Sequence, residues 1–242
     1  MTYSQRDNPA IEAWFARRTA AREAAFFIPY LHRGMQVLDV GCGPGSITLG
    51  MADVVAPGEV VGIDLQPTQI EQARALAVER GVDNVRFEVA EAYRLPVPAH
   101  SFDAAFAHGA LMHLREPVRA LVEIRRVLRP GGIVGVRDQD FGGDLFSPVT
   151  PLLEQWLALL LRVRQHHSRD SFIGRHHRRL LLEAGYVRSE ARASVEDSAG
   201  SLEQTRLSAL WFKAVTHGPP PRRGGGRNTL RPHPRNAATQ GN

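Results

Sequence analysis

The sequence predicts an α/β fold: a doubly wound, mostly parallel sheet of six to seven strands, with a helical lid inserted after the fifth strand. Three observations carry this. Short apolar runs alternate with stretches of three- and four-residue apolar spacing between residues 35 and 136. The segments joining the runs are too long for hairpins, so they cross over and make the strands parallel, with both faces covered. The chain has 242 residues, 43% of them hydrophobic, which suits one domain of about 100–200 residues plus an appendage.

Taken in order, residues 9–33 carry Ile11, Trp14, Phe15 and Arg18 at helical spacing, and Pro29 ends or kinks that region. Residues 1–34 therefore read as a helical N-terminal cap. The run at 35–40 is the first strand and enters Gly41-Cys42-Gly43-Pro44-Gly45 directly. Ile47, Leu49, Met51 and Ala52 then start a helix. Pro57-Gly58 turns the chain into a second strand, 60–63, which ends at Asp64. Ile70, Ala73, Leu76 and Ala77 mark the next helix, closed by Gly81. Strands follow at 85–89 and 102–107, separated by a loop. Pro117 opens a helix with Val118, Leu121, Val122 and Leu128 on its apolar side. Pro130-Gly131-Gly132 ends that helix, and 133–136 is the fifth strand.

After Arg137 the rhythm changes. A loop with Asp138, Gln139, Asp140 and Asp144 leads into an apolar helix over 151–167, with Leu152, Trp156, Leu159, Leu160 and Val163 on one face. A helix near 175–184 stops at Gly185, and 186–195 reads as a sixth strand. Residues 138–185 form the expected lid over the substrate, within a main domain of 35–216. Ser201 to Val215 has helical rather than strand spacing, so a seventh strand is expected to be absent or poorly formed. Residues 217–242 contain five arginines, no acid and one large aliphatic, Leu230, and read as a disordered basic tail.

Charge narrows the function classes. The chain has 30 Lys+Arg and 25 Asp+Glu; the five tail arginines account for the excess, leaving residues 1–216 neutral. A neutral body argues against nucleic acid as the partner. A single cysteine excludes intramolecular disulfides and cysteine-built metal sites. No apolar run approaches the roughly 18 residues that span a bilayer, and residues 1–9 lack a signal core. A cytoplasmic protein without membrane association is the expectation.

The chemistry sits in Asp39-Val40-Gly41-Cys42-Gly43-Pro44-Gly45. A strand running through glycines into a helix lets a ligand lie on bare backbone at a helix N-terminus. The dinucleotide pattern needs a third glycine where this chain has Ser46. Asp64, 19 residues past Gly45, ends the second strand, where a carboxylate can accept both hydroxyls of a ribose. The alternative is a cap for the helix opening at Gln66-Pro67-Thr68. Leu65 offers an apolar surface to a flat ring.

These residues resemble the class I S-adenosylmethionine-dependent methyltransferases, in particular the small-molecule, UbiE-like or type 11 branch. The resemblance covers about residues 35–137 through five ordered motifs. They are Val37-Leu38-Asp39-Val40-Gly41-Cys42-Gly43-Pro44-Gly45, Val61-Gly62-Ile63-Asp64, Glu91-Ala92-Tyr93-Arg94-Leu95-Pro96, Ser101-Phe102-Asp103 and Val127-Leu128-Arg129-Pro130-Gly131-Gly132. It implies a Rossmann-like fold, S-adenosyl-L-methionine as cofactor and methyl transfer to a small molecule. By resemblance, Asp39 and the backbone of Gly41, Cys42, Gly43 and Gly45 face the methionine part. Asp64 holds the ribose, with Leu65 and Gln66 beside it. Glu91, where the family more often has Asp, meets the adenine amino group, and the Ala92 amide meets a ring nitrogen. The backbone at His108 borders the reacting methyl, and Arg18-Thr19 reaches the cofactor carboxylate.

Methyl transfer asks the protein for alignment and exclusion of water, plus a base where the acceptor is a hydroxyl or amine. The base candidates are His108, His113, Asp138 and Asp140, each with an ordinary structural role as the alternative. His166-His167 and His176-His177 are neighbours that point to different faces of a helix, so no metal site is expected. Two other functions stay open: a cofactor-binding protein without turnover, and an RNA methyltransferase assisted by the basic tail.

Overall fold

The structure, a computed structural model, describes residues 17–143, 148–167 and 170–194. Five strands form one sheet in the order β3-β2-β1-β4-β5: β1 Val37–Val40, β2 Val60–Asp64, β3 Val85–Val89, β4 Phe102–His108 and β5 Leu128–Arg137. Every pairing is parallel. β1 lies centrally, with Val37 opposite Val60 on one side and Ala104 on the other. It is buried along its whole length, which is why its four residues read as a continuous apolar run interrupted only by Asp39.

Among the described residues six helices complete the layers: α1 Ala20–Glu23, α2 Ser46–Val55, α3 Pro67–Arg80, α4 Pro117–Val127, α5 Pro151–His167 and α6 His177–Glu183. Helices α4 and α6 cover one face, burying Leu121, Ile124, Leu180 and Leu181 against Leu38, Val40, Ile63, Ala105 and Ala107. On the other face α1 and α2 pack Ala20, Ala24, Ile47 and Met51 against Val37, Val60 and Phe106, while α3 sets Ile70 and Ala73 on Phe87. The alternation of strand residues between the two faces is the doubly wound arrangement expected from the sequence. Prolines open α3, α4 and α5, and Gly81, at φ +64°, ends α3.

The connection leaving β1 runs to β2 and the one leaving β4 runs the other way, to β5, so a crevice opens between β1 and β4 at the carboxyl edge of the sheet. Gly41, at φ +76°, lies at that point; a side chain there would meet the Ala110 Cβ at 2.8 Å.

Several expectations need correction. The sheet has five strands among the described residues, not six or seven. Tyr186 to Ser194 forms no strand. The phenol of Tyr186 is drawn to the Leu121 carbonyl at 3.1 Å, and Val187 is 92% exposed, so no buried alternation stabilises a sixth strand. The fifth strand begins at Leu128, not 133, because Leu128 pairs with Phe102 before Ile133 pairs with Ala104. Pro130-Gly131-Gly132 bulges within the strand instead of ending a helix. In place of one helix over 9–33, the described part has the short turn α1 and a 3-10 turn at Ile28–Tyr30 that contains Pro29. Ile11, Trp14, Phe15, Asp144, the helix expected at 201–215 and the tail at 217–242 lie outside the described residues. Among the described residues no helix is long and apolar enough to cross a membrane.

Candidate functional site

The glycine turn is built as the sequence suggests. Gly41, Gly43 and Gly45 all adopt positive φ, at 76°, 54° and 83°. Gly45 precedes α2 directly, and a Cβ there would press 2.9 Å from both Ala73 and Phe87. Gly43 faces more open space, its nearest neighbour being the Gln69 Oε1 at 3.5 Å. This leaves bare backbone at the start of a ten-residue helix.

Asp64 is buried at the end of β2, where its two carboxylate oxygens receive different amides. The Gly43 N–H donates to Oδ2 at 3.1 Å and the Gln66 N–H to Oδ1 at 3.0 Å. The first bond ties the second strand to the glycine turn; the second braces the turn ahead of α3, whose N-cap is Gln66 and which receives no side-chain cap bond. The carboxylate holds both amides at once, since it offers about four acceptor positions. Leu65 beside it is 66% exposed, an apolar surface held at the sheet edge. Glu91 stands exposed just after β3, in a bridge with Arg94, and Ala92 is half-buried against the core. Glu123 and Arg126 fix the rest of this loop: Glu123 accepts the Leu95 N–H at 2.8 Å, and Arg126 donates to the Val97 carbonyl at 3.1 Å. The Tyr93 hydroxyl accepts the Arg115 and Glu116 amides at the start of α4.

Asp39 is the buried acid of this turn. Burial pushes its carboxyl up from 3.8 to about 7; a 2.6 Å hydrogen bond from Thr48 opposes this, and the Asp64 charge adds to it. The folded protein thus holds a proton here that the unfolded chain releases above pH 3.8. This group's contribution to stability is full below that value and falls as pH rises towards 7. Asp39→Asn is expected to flatten that fall, measured by denaturant melts from pH 4 to 8. A cation placed near the carboxyl favours ionisation, so cofactor binding is expected to release protons near neutral pH and fewer as the pH rises above it. Calorimetry in buffers of different ionisation enthalpy reads this directly.

At the carboxyl ends of β4 and β5 lies a cluster that local sequence does not reveal. Glu23, buried in α1, forms an ion pair with Arg137 and lies 3.3 Å from the His108 Nε2. The His108 ring stacks on Phe106, and its Nδ1 is buried, which makes His108 a tie between α1 and the sheet. The Arg18 guanidinium stands near Gly109, 3.8 Å from where a Cβ would be, beside the β1–β4 crevice. Asp140 pairs through both oxygens with Arg175, at 2.5 and 2.8 Å, which holds its carboxyl below the usual range. Asp138 bonds His177 instead, at 3.0 Å, and His113 is half-buried in the 3-10 turn Leu111–His113. His176 meets Asp170, so the two neighbouring histidines serve different carboxylates. No group of three potential metal ligands occurs among the described residues.

A parallel doubly wound sheet, a glycine turn at its crevice and an acid closing the second strand are the arrangement expected of an S-adenosylmethionine-dependent methyltransferase. A methyltransferase-domain family model matches residues 31–185, and the chain belongs to that family. An uncharacterised methyltransferase of Schizosaccharomyces pombe is 32% identical over 213 residues, covering 85% of this chain and 75% of its own. Aklanonic acid methyltransferase DauC of a Streptomyces species is 33% identical over 147 residues, covering 59% of this chain and 66% of its own. The crystal structure of YcgJ from Bacillus subtilis superposes with a TM-score of 0.54 at 28% identity, covering 67% of each chain.

Proposed function

We propose that the enzyme methylates a small, largely apolar molecule seated between the β4 and β5 carboxyl ends and the 138–185 segment. One observation carries this reading: the first half of α5, residues 151–159, presents apolar side chains and no basic one. Leu152 and Leu159 are exposed and Trp156 and Leu157 half-buried, a surface for an apolar acceptor and not for a phosphate backbone. DauC is named for a small-molecule acid, which supports the same class.

The residues present fit the cofactor. Asp64, oriented by two amides, would take the ribose hydroxyls, Leu65 would lie against the adenine, and Glu91 and Ala92 would meet its polar edge. Asp39, Gly41, Cys42, Gly43 and Gly45 would border the methionine part, with Arg18 at its carboxylate. The bound sulfonium supplies an already activated methyl group. The protein aligns the acceptor atom in line with the carbon–sulfur bond and keeps water out.

Incubation with labelled cofactor and a metabolite extract, followed by mass spectrometry, tests the proposal. A labelled small molecule is expected; label in RNA alone, or tight binding with no product, would overturn it. Trp156→Ala is expected to cost about 1–2 kcal/mol of acceptor binding, half the value of a large apolar side chain, and so to raise the acceptor KM roughly tenfold. Calorimetry of the same variant is expected to show an unchanged cofactor affinity.

A further inference from the structure

We infer that His177 is the general base for a hydroxyl acceptor and that Asp138 is its positioning residue. The inference rests on the small-molecule reading above. The Asp138 side chain is fully buried, yet both oxygens are engaged: Oδ1 accepts the Met112 N–H at 3.3 Å and Oδ2 the His177 Nε2–H at 3.0 Å. Asp138 therefore joins the end of β5, the β4–α4 loop and the start of α6 at the carboxyl edge where the methyl group would arrive. A carboxylate on Nε2 fixes the neutral tautomer with a lone pair on Nδ1, and Nδ1 makes no hydrogen bond among the described residues. The side chain is 13% exposed, enough to be reached but sheltered from bulk water.

Three contacts hold the histidine there. The Phe141 N–H donates to the Ser171 carbonyl at 3.0 Å, Arg175 grips Asp140, and Gly174 packs so closely that a Cβ would lie 2.9 Å from the Asp138 carbonyl oxygen. This is more anchoring than either of the other histidine–carboxylate contacts receives. His176 and Asp170 are each 39% exposed, and His108 shares its carboxylate with Arg137.

In the step itself the acceptor oxygen forms a bond to the methyl carbon as the carbon–sulfur bond breaks, its electron pair remaining on sulfur. The hydroxyl proton passes to His177 Nδ1, and the imidazolium later releases it to solvent. A carboxylate acceptor has no proton to lose and needs no base. The other charged or titratable groups on the segments packed around His177 include His113, the Asp140–Arg175, His176–Asp170 and Arg179–Glu183 pairs, Arg178 and Tyr186. On α4 they are the Glu116–Arg119 and Glu123–Arg126 pairs and Arg125.

The test uses the full chain with 2-naphthol, neutral at pH 7, and 2-naphthoate, already ionised, as paired probes. His177→Gln is expected to slow naphthol methylation by about 10²–10⁴-fold while leaving naphthoate methylation and cofactor affinity within about twofold. An equal loss on both probes, or no loss on naphthol, would overturn the assignment. Independently of any acceptor, nitrogen NMR of the histidine rings in the cofactor-loaded protein is expected to show His177 as the Nε2–H tautomer, and a changed tautomer balance in Asp138→Asn. An Nδ1–H tautomer, or one unaltered in that variant, would overturn the assignment as well. A wild-type enzyme that binds cofactor but methylates neither probe counts against the small-molecule reading, and the tautomer still decides the dyad.

Discussion

Replacing Glu23 by alanine is expected to remove about 3–5 kcal/mol of stability, the cost of leaving a buried or half-buried partner charge uncompensated. Glu23 is buried and faces Arg137 from one side and His108 from the other, and Arg137 is only 19% exposed. Loss of the carboxylate deprives the guanidinium of its Glu23 ion pair, leaving the 3.3 Å bond to the Ser194 hydroxyl among its contacts. Denaturant unfolding should show the deficit, and Arg137→Met in the same chain should recover much of it, because the guanidinium that faced Glu23 is then gone. An unchanged midpoint in Glu23→Ala would mean that solvent already screens the pair. The methyl-transfer rate is expected to fall as well, since Arg18, which stands beside the crevice, directly precedes α1.

Asp64→Ala is expected to weaken cofactor binding roughly ten- to a hundredfold, or about 1.5–3 kcal/mol for hydrogen bonds to a charged group. The structure adds a second effect. The Gly43 and Gln66 amides lose their acceptor, so the glycine turn loosens together with the ribose site. Asp64→Asn separates the two effects, because its amide oxygen can still accept one N–H. Titration calorimetry at low ionic strength measures both variants, and unchanged affinity in a folded Asp64→Ala protein would sink the ribose assignment.

The parts of this molecule that were legible in its sequence are those whose cause is local. Gly41, Gly43 and Gly45 announce a turn because only their missing Cβ allows its φ values and close approaches. β1, β2 and β4 declare themselves as apolar runs because both faces are covered. The start of β5 was not legible: Pro130-Gly131-Gly132 is strong local punctuation, and only pairing between Leu128 and Phe102, 26 residues away in the chain, carries the strand through it. Residues 186–194 failed in the opposite sense: Tyr186 packs against the core, but Val187 beside it is exposed and no alternating buried face follows. The Glu23–Arg137 pair spans 114 residues and has no periodic signature. His176 and His177 look equivalent as neighbours, and only the placement of Asp170 and Asp138 separates them.

The strand order has a consequence for synthesis. β1 is flanked by β2, some 20 residues on, and by β4, more than 60 residues on. A chain leaving the ribosome can assemble β1, β2 and β3 with α2 and α3 early, but the other edge of β1 then waits several seconds for residues 102–108 at ordinary translation rates. During that interval the most apolar strand presents an unpaired edge, a template for misassociation with other nascent chains. Conditions that slow elongation between residues 64 and 102 lengthen the exposure. Soluble yield is then a matter of translation timing as well as of final stability.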